Sequence, residues 1–564
     1  MNNNHFQTSQ SLASIESEIS NIPDKIILTG NDLSISDIIA VARYNKPVYF
    51  TEDKKVHDRI EITYRKMIEQ VEAGIPIYGC NTGYGARASN VVTNGSAKKR
   101  LELAKKVSEG IAHIDVSVGP LFNKEVIRAA MLIRINMLMH GVSAVKLADL
   151  EIYREMLNKQ ITPLVNQYGG IGASGDLAHN CRVLSAARQL QGVKVWDKKG
   201  RIREAAEALQ EVNIPVLKLD PKAGLGLVNG DNFSTALAAL IAYDTMQSLI
   251  IANVAGAMVV EVLKGTDRSF HPLLAEVRPH KGQKEVAAMY RYLLKGSRLA
   301  YQEMKGHKRR PEGVKVQDGY SLRCISQYHG VNFEKIRLAL DTVRINANSV
   351  SDNPLWVANE YATPHEDPWQ WVSGGNFIAM HMVESIDGMR KTMTQIVKLN
   401  DRHLARLVQP RENNGLPANL SDIEALTQCA FKGTQIQSGM LEVYSSLLSI
   451  PVSTFFGVHE EGNQDITSHA LTSGILAIEN LRLVRYSIAQ NLVALAQAVD
   501  LRGGVQKLSP HTQPLYKYIR NKTQYVQKER PLNNDIELLY ESICNGSLME
   551  VIRTKVLKTY IEES

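Results

Sequence analysis

The residues best suited to unusual chemistry lie in Gly169-Gly170-Ile171-Gly172-Ala173-Ser174-Gly175-Asp176-Leu177. Amino-acid side chains supply nucleophiles, acids and bases but no good electrophile, so a protein that needs one borrows a cofactor or builds one. In Ala173-Ser174-Gly175 the amide nitrogen of Gly175 can attack the carbonyl of Ala173 and close a five-membered ring. Loss of water from that ring and from Ser174 leaves 4-methylidene-imidazol-5-one (MIO), whose exposed methylene is electrophilic. Small residues are needed because the chain must bend until atoms two residues apart meet. Glycine at position 175 also brings its nitrogen in without a Cβ in the way. On its own the tripeptide reads more simply as a tight glycine turn before a helix capped by Asp176.

Blocks elsewhere change that reading. They are Tyr78-Gly79-Cys80-Asn81-Thr82-Gly83-Tyr84-Gly85, Leu227-Val228-Asn229-Gly230, Gln317-Asp318-Gly319-Tyr320-Ser321-Leu322-Arg323-Cys324, Asn348-Ser349-Val350-Ser351-Asp352-Asn353-Pro354, Gly374-Gly375-Asn376-Phe377 and Gly415-Leu416-Pro417. With the Gly-Ala-Ser-Gly-Asp-Leu block, and over about Ile26 to Gly503, the chain resembles the aromatic amino-acid lyase family of histidine, phenylalanine and tyrosine ammonia-lyases and related 2,3-aminomutases. The resemblance implies an MIO-dependent ammonia-lyase that converts an aromatic or related L-amino acid to an α,β-unsaturated acid. It implies autocatalytic ring formation, no metal, no external cofactor, and a homotetramer whose sites draw residues from three chains. A 2,3-aminomutase giving a β-amino acid is one alternative. A catalytically silent homologue kept for binding or assembly is the other.

Elimination must remove a weakly acidic β-proton, which calls for a strong base within hydrogen-bonding reach. Tyrosinate qualifies if the site lowers its pKa from the ordinary value of about 10. The resemblance makes Tyr78 that base. Arg323 matches the arginine that grips the substrate carboxylate, where a guanidinium fork fits better than a point charge. Tyr320, three residues earlier, would lie on the same side of a helical turn and helps position ring and amine. Asn229 matches an asparagine beside both, and Phe377 a phenylalanine packed on the ring. Gln317 shares the block of Tyr320 and is placed with the substrate, and Asn353 supports the site from behind. The bland readings are a helical ion pair for Arg323, an Asn-Gly turn for Asn229 and core for Phe377. Gln464 stands where histidine lyases carry glutamate and phenylalanine and tyrosine lyases carry glutamine.

The chain also departs from the family. The pair that reads the substrate side chain, shortly before Gly110, is Lys106-Val107, matching none of the usual pairs. A lysine facing an apolar ring needs an acceptor, so either the substrate bears one or Lys106 turns to solvent. His179-Asn180 replaces Pro-Leu, Asp231 a threonine and His469 an apolar residue. These polar changes could remodel the pocket, mark a branch with an unusual substrate, or mark lost activity.

The elements that position these residues read as mainly α, a long central helical bundle with a loop-rich N-terminal domain carrying the MIO loop. The divisions are a flexible tail (1–24), the N-terminal domain (25–213), the bundle (214–508) and a C-terminal helical segment (509–564). Ile26, Ile27 and Leu28 predict a strand, and Ser36 caps a helix that buries Ile38, Val41 and Ala42. Val286, Met289, Tyr290 and Leu293 form a stripe ended by Lys295 and Gly296. A second pattern opens at Ser421 and stops at Pro451, and a third runs from Thr467 to Asp500 through Ile488, Leu492, Leu495 and Val499. The most apolar stretch, Asp244 to Glu261, contains Gln247 and Asn253 and reads as a buried helix, not a membrane span.

Composition excludes several classes. Of 564 residues 44% are hydrophobic and 22% charged, so a sizeable core is possible, and the net charge of +7 is scattered. A nucleic-acid binder would concentrate it on one face. The run Lys305 to Arg310 reads as a solvated loop. Five dispersed cysteines without a CxxC pair favour neither disulfides nor zinc and suit a reducing cytoplasm. The polar first two dozen residues carry no secretory h-region.

Overall fold

The computed structural model describes residues 20–305, 310, 315–421, 428–455 and 457–563. Most of the expected tail and of the Lys305–Arg310 run lies outside them. Arg310 itself is buried against Asp318, at 3.0 Å, and so is not part of a solvated loop.

The chain is mainly helical, with strands of two to four residues. Strand β1 (Ile26–Leu28) pairs in parallel with β2 (Val48–Phe50), and α1 (Ile35–Tyr44) lies between them in sequence. Its cap is Ser34, one residue before the helix, and not Ser36. Ser34 Oγ accepts the Asp37 N–H at 3.1 Å while the Asp37 carboxylate accepts the Ser34 N–H at 2.9 Å. The acid three residues on closes this box, which Ser36 could not do.

Then follow α2 (Ala97–Ile111), α3 (Lys124–Leu138), α4 (Leu177–Ala187), the short α5 (Ala223–Val228) and α6 (Asn232–Val262). Helix α7 (Lys281–Leu293) buries all four residues of its expected stripe, and Gly296 beyond it has φ 79°. The short turn α8 (Tyr320–Arg323) leads into α9 (Ile325–Ala347), followed by α10 (Met380–Val408), α11 (Lys432–Leu447) and α12 (Ala470–Leu501). Ser421 does not open α11: its backbone is extended, and the helix starts at Lys432.

Helices α6, α9, α10 and α12 form the bundle, with α10 against α12 its largest contact. Helix α6 is apolar all round, as a helix at the centre of a core should be. By length and composition it could cross a membrane, yet 94% of its most apolar window is buried in protein. Apolar contacts run without a break from Ile26 to Leu557. A smaller cluster, including Met67, Cys80, Ala104 and Trp356, packs apart from it, while Tyr78 lies against the main core.

At 1.5 Å per residue, the 31 residues of α6 extend about 46 Å. Its N-terminal end follows Asn229–Asp231. Beyond its C-terminal end the Thr266 N–H donates to Asp318 at 2.9 Å, which fixes the turn carrying Tyr320 and Arg323 there.

Candidate active site

The Ala173-Ser174-Gly175 bend is held from two sides. Gly172 and Gly175 are both left-handed, with φ of 68° and 61°. On one side the Asp176 N–H donates to the Gly230 carbonyl at 2.8 Å. A Cβ on Gly175 would lie 2.2 Å from the Gly230 carbonyl carbon, so only glycine fits. On the other side Ser468 Oγ donates to the Gly172 carbonyl at 3.1 Å, and the His469 N–H to that of Ile171 at 2.9 Å.

Asp176 precedes α4 but its side chain does not cap it. The carboxylate instead accepts the Ser234 N–H at 2.7 Å and its hydroxyl at 2.8 Å, in the first turn of α6. There the orphan amides of a helix start favour a negative charge. Burial nonetheless pushes its pKa up to about 7.

Two amides meet Ser174. Gln464 Nε2 donates to Ser174 Oγ at 3.1 Å. Asn229 can face either of two partner sets. With its nitrogen toward the loop it donates to the Ser174 carbonyl at 3.3 Å, and its oxygen accepts the Asn353 N–H at 3.2 Å. Turned over, the nitrogen lies 3.3 Å from the Asp352 carboxylate and the Asn353 carbonyl. The first orientation satisfies both ends of the amide and is the one assigned. Asn353 Oδ1 in turn accepts the Gly374 N–H at 2.8 Å, which sets the Gly374–Phe377 loop beside it.

Tyr78 is half-buried, and its hydroxyl accepts the Gly85 N–H at 3.0 Å. Burial, and after it the Glu460 carboxylate, hold the phenol above its ordinary pKa against the effect of the Gly85 N–H. The lowered pKa expected of a base is therefore not produced by the described groups of this chain. Glu460 crowds Gly85 so closely that a Cβ there would lie 1.6 Å from Glu460 Oε1. Nearby, Arg87 pairs with Glu461 at 2.8 Å. Tyr84 ties the same loop to α2 by donating to the Val107 carbonyl at 2.8 Å. Val107 is half-buried, whereas Lys106 is exposed on the face of α2 opposite the buried Ala104 and Ser108.

Tyr320 and Arg323 meet as their spacing predicts, the guanidinium carbon 4.4 Å from the ring centroid. Tyr320 is 73% exposed, and Gln317 is exposed beside it. Their turn is gripped from α10, where His403 Nε2 lies 2.7 Å from the Ser321 carbonyl and Arg406 Nε donates to Ser321 Oγ at 2.6 Å. The length of α6 separates this group from Ser174, so a single chain does not bring the two together.

Of the unusual polar residues, His179 and Asn180 support backbone, and Asp231 and His469 bond to side chains. His179 is buried between Phe122 and Phe233, with Nε2 at 3.1 Å from the Gln167 carbonyl, and burial pushes its pKa down to about 4. Asn180 donates to the Val228 and Gly230 carbonyls at 3.1 and 3.2 Å. Asp231 accepts from Asn346 at 3.0 Å, with its pKa pushed up to about 6 by burial. His469 bonds Thr467 Oγ1 at 2.9 Å and meets the His459 ring edge-on.

Sequence reading missed Glu460, the buried cations Lys222 and Arg134, and Asp352. Asp352 lies inside a recognised block, and Glu460 only four residues before Gln464. Nothing local marks Lys222.

A family model described as aromatic amino acid lyase matches residues 33–521. The histidine ammonia-lyase of Clostridium tetani is 31% identical over 537 residues, covering 94% of this chain and 98% of that protein. The phenylalanine ammonia-lyase of Nostoc punctiforme is 31% identical over 508 residues, or 88% of this chain and 87% of the relative. Among solved structures, the tyrosine aminomutase from Streptomyces globisporus superposes with a TM-score of 0.85 at 27% identity, covering 94% of this chain and 99% of that one.

Proposed function

This chain belongs to the aromatic amino acid lyase family, and on that premise we propose that it releases ammonia from a phenylalanine- or tyrosine-like L-amino acid through a ring made from Ala173, Ser174 and Gly175. It is a carbon–nitrogen lyase, as its ammonia-lyase relatives are. The observation that carries the reading is the bracketing of Ser174 by Asn229 on its carbonyl and Gln464 on its hydroxyl.

The loop fits the ring, since two left-handed glycines compress the bend and Gly230 leaves no room for a Cβ at position 175. Once formed, MIO supplies an electrophilic carbon that binds the substrate amine and makes it a better leaving group. Asn229 keeps a donor on the Ser174 carbonyl oxygen, where it stabilises developing negative charge. Tyr78 takes the β-proton. Its phenol is raised within one chain by burial and Glu460, and a cation brought by the substrate or another copy would favour the tyrosinate. Gln464, a neutral amide, suits a phenyl or phenol ring better than an imidazole, which favours an anionic acceptor. Phe377 and Asn353 back the same site, and Lys106 and Val107 lie on the neighbouring α2.

Arg323 grips the substrate carboxylate, with Tyr320 and Gln317 beside it. They lie at the far end of α6, a helix about 46 Å long, from Ser174 and so serve the loop of another copy, which supports the homotetramer. Five unpaired cysteines support a reducing, cytoplasmic setting.

Intact mass tests the ring: the purified chain should weigh two waters less than its sequence, and full mass with Ser174 intact would refute the proposal. The likeness to a tyrosine aminomutase supports a second reading, in which the amine returns to the β-carbon. Product analysis separates them, free unsaturated acid and ammonia meaning lyase and a β-amino acid meaning mutase.

A further inference from the structure

Behind Asn229 lies a group of buried charges that the reaction itself does not use. Lys222 Nζ donates to Asp352 Oδ2 at 2.7 Å, and neither side chain has any exposed surface. A buried ion pair is a poor device for stability alone, because desolvating two charges offsets much of their attraction and apolar residues often replace them without loss. Its position suggests another use.

Lys222 is left-handed, with φ 67°, at the start of α5, and Asn229 is the residue that ends that helix. Asp352 precedes Asn353, whose N–H meets the Asn229 side-chain oxygen. The pair thus ties together the two segments that hold the Asn229 amide. Arg134, buried on α3, clamps the same segments by donating to the Ser351 carbonyl at 2.6 Å and the Asn229 carbonyl at 3.1 Å. A Cβ on Gly230 would lie 2.1 Å from Arg134 Nη1, so glycine there admits the guanidinium.

Asp352 is also the rival acceptor for Asn229, with Oδ1 at 3.3 Å from the amide nitrogen when the amide is turned over. The Asn353 carbonyl, also 3.3 Å away, offers the turned-over amide a second acceptor that remains when the carboxylate is removed. The amide therefore stays on Ser174 only while the two segments that hold it are tied together, and Lys222 with Asp352 supplies that tie.

We propose that Lys222 and Asp352, with Arg134, are positioning residues whose ion pair keeps the Asn229 donor on the Ser174 carbonyl. The inference rests on the lyase reading of the loop, and the test separates the two. Wild-type protein must first show the two-water deficit and release ammonia; failure there sinks the lyase reading whatever the variants do.

Lys222→Met, Asp352→Leu and the double variant are then compared with and without Asn229→Ala. Each single change leaves one buried charge unpaired and lowers the melting temperature. The double variant should recover that temperature while its kcat stays about a hundredfold down, the usual cost of a misplaced oxyanion donor, with KM little changed. Adding Asn229→Ala should then lower kcat no further, because the pair acts through that amide. Recovery of kcat together with melting temperature would show a merely structural pair and overturn the inference. So would a full additional loss from Asn229→Ala. If the double variant does not fold, Asp352→Asn, which keeps the shape of the side chain, is carried through the same cycle with Asn229→Ala and read by the same rule.

Discussion

Gln464 Nε2 lies 3.1 Å from Ser174 Oγ, although 290 residues separate the two in the chain. A tight turn makes the approach. His459 and Gln464 exchange backbone hydrogen bonds at 3.0 and 3.1 Å, and Glu460, Glu461 and Gly462 between them are all left-handed, with φ of 52°, 55° and 84°. Two non-glycine residues in that region cost about 1–3 kcal/mol each and persist only where the surroundings fix them. Here Asn463 does so by donating to Glu460 at 2.7 Å.

Gln464→Glu should move substrate preference toward histidine. The amide becomes an anionic acceptor that an imidazole N–H can use and a phenyl ring cannot. A charge-assisted hydrogen bond is worth about 1.5–3 kcal/mol, so the histidine-to-phenylalanine ratio of kcat/KM should rise at least about tenfold. An unchanged ratio in a substrate panel would take Gln464 out of the pocket.

Gly175→Ala should fail where Ser174→Ala merely stops. The added methyl meets the Gly230 backbone at 2.2 Å and φ is 61°, so the bend itself must open. The expected protein has its full encoded mass and a lower melting temperature. Ser174→Ala fits the bend, keeps the wild-type melting temperature, lacks the second dehydration and has almost no turnover. Equal melting temperatures for the two variants would contradict the packing argument.

Glu460→Gln should shift the pH dependence of the proposed base, Tyr78. Burial raises the Tyr78 phenol and the Glu460 carboxylate raises it further. With that charge gone, tyrosinate forms at lower pH, so the acid limb of kcat/KM should move downward. Steady-state rates across pH check this, and a limb that stays put or moves upward disproves the coupling.

The fold was legible where one element decides its own structure. Ile26–Leu28 is a short apolar run before a turn and forms β1, and the Val286–Leu293 stripe repeats at helical spacing and is buried. Tyr320 and Arg323 stack because three residues make most of a turn. The bend at Gly172–Gly175 could be read because the conformational freedom of glycine is local. What remained hidden depends on distant partners. Lys222 looks like any surface lysine until Asp352, 130 residues on, is folded against it. Ser36 is as good a cap as Ser34 by residue type, and only the reach of Asp37 separates them. The side chain of Asp176, placed where a cap should be, is claimed by the start of α6 instead.

His179→Leu should make the protein less sensitive to acid. The folded state holds this imidazole at about 4, below its ordinary value, because burial disfavours the cation. A depressed folded pKa gives stability that is present above the unfolded value of about 6.5 and lost as pH falls toward 4. At about 1.4 kcal/mol per pH unit the full loss is about 3 kcal/mol. The raised carboxylates Asp176 and Asp231 act in the opposite sense, but they are common to both proteins and cancel in the comparison. The drop in melting temperature between pH 7.5 and pH 5 should therefore be smaller in the variant, and equal drops would mean that the ring is not the group that titrates.

Mixing two dead proteins should restore activity if one site is built from different copies. Ser174→Ala removes the proposed electrophile but keeps Tyr320 and Arg323, while Arg323→Ala keeps the loop intact and loses the proposed carboxylate grip. Within one chain these groups stand at opposite ends of α6, a helix about 46 Å long, too far for any side-chain movement to close. Chains of the two kinds, unfolded and refolded together, should form assemblies in which some sites pair an intact loop with an intact arginine, and ammonia release should reappear in the mixture. A chain carrying both changes, mixed with wild type at the same ratio, controls for simple dilution. If the mixture of single variants stays as inactive as its components, the arginine reaches the loop of its own chain, and the separation along α6 would have to be wrong.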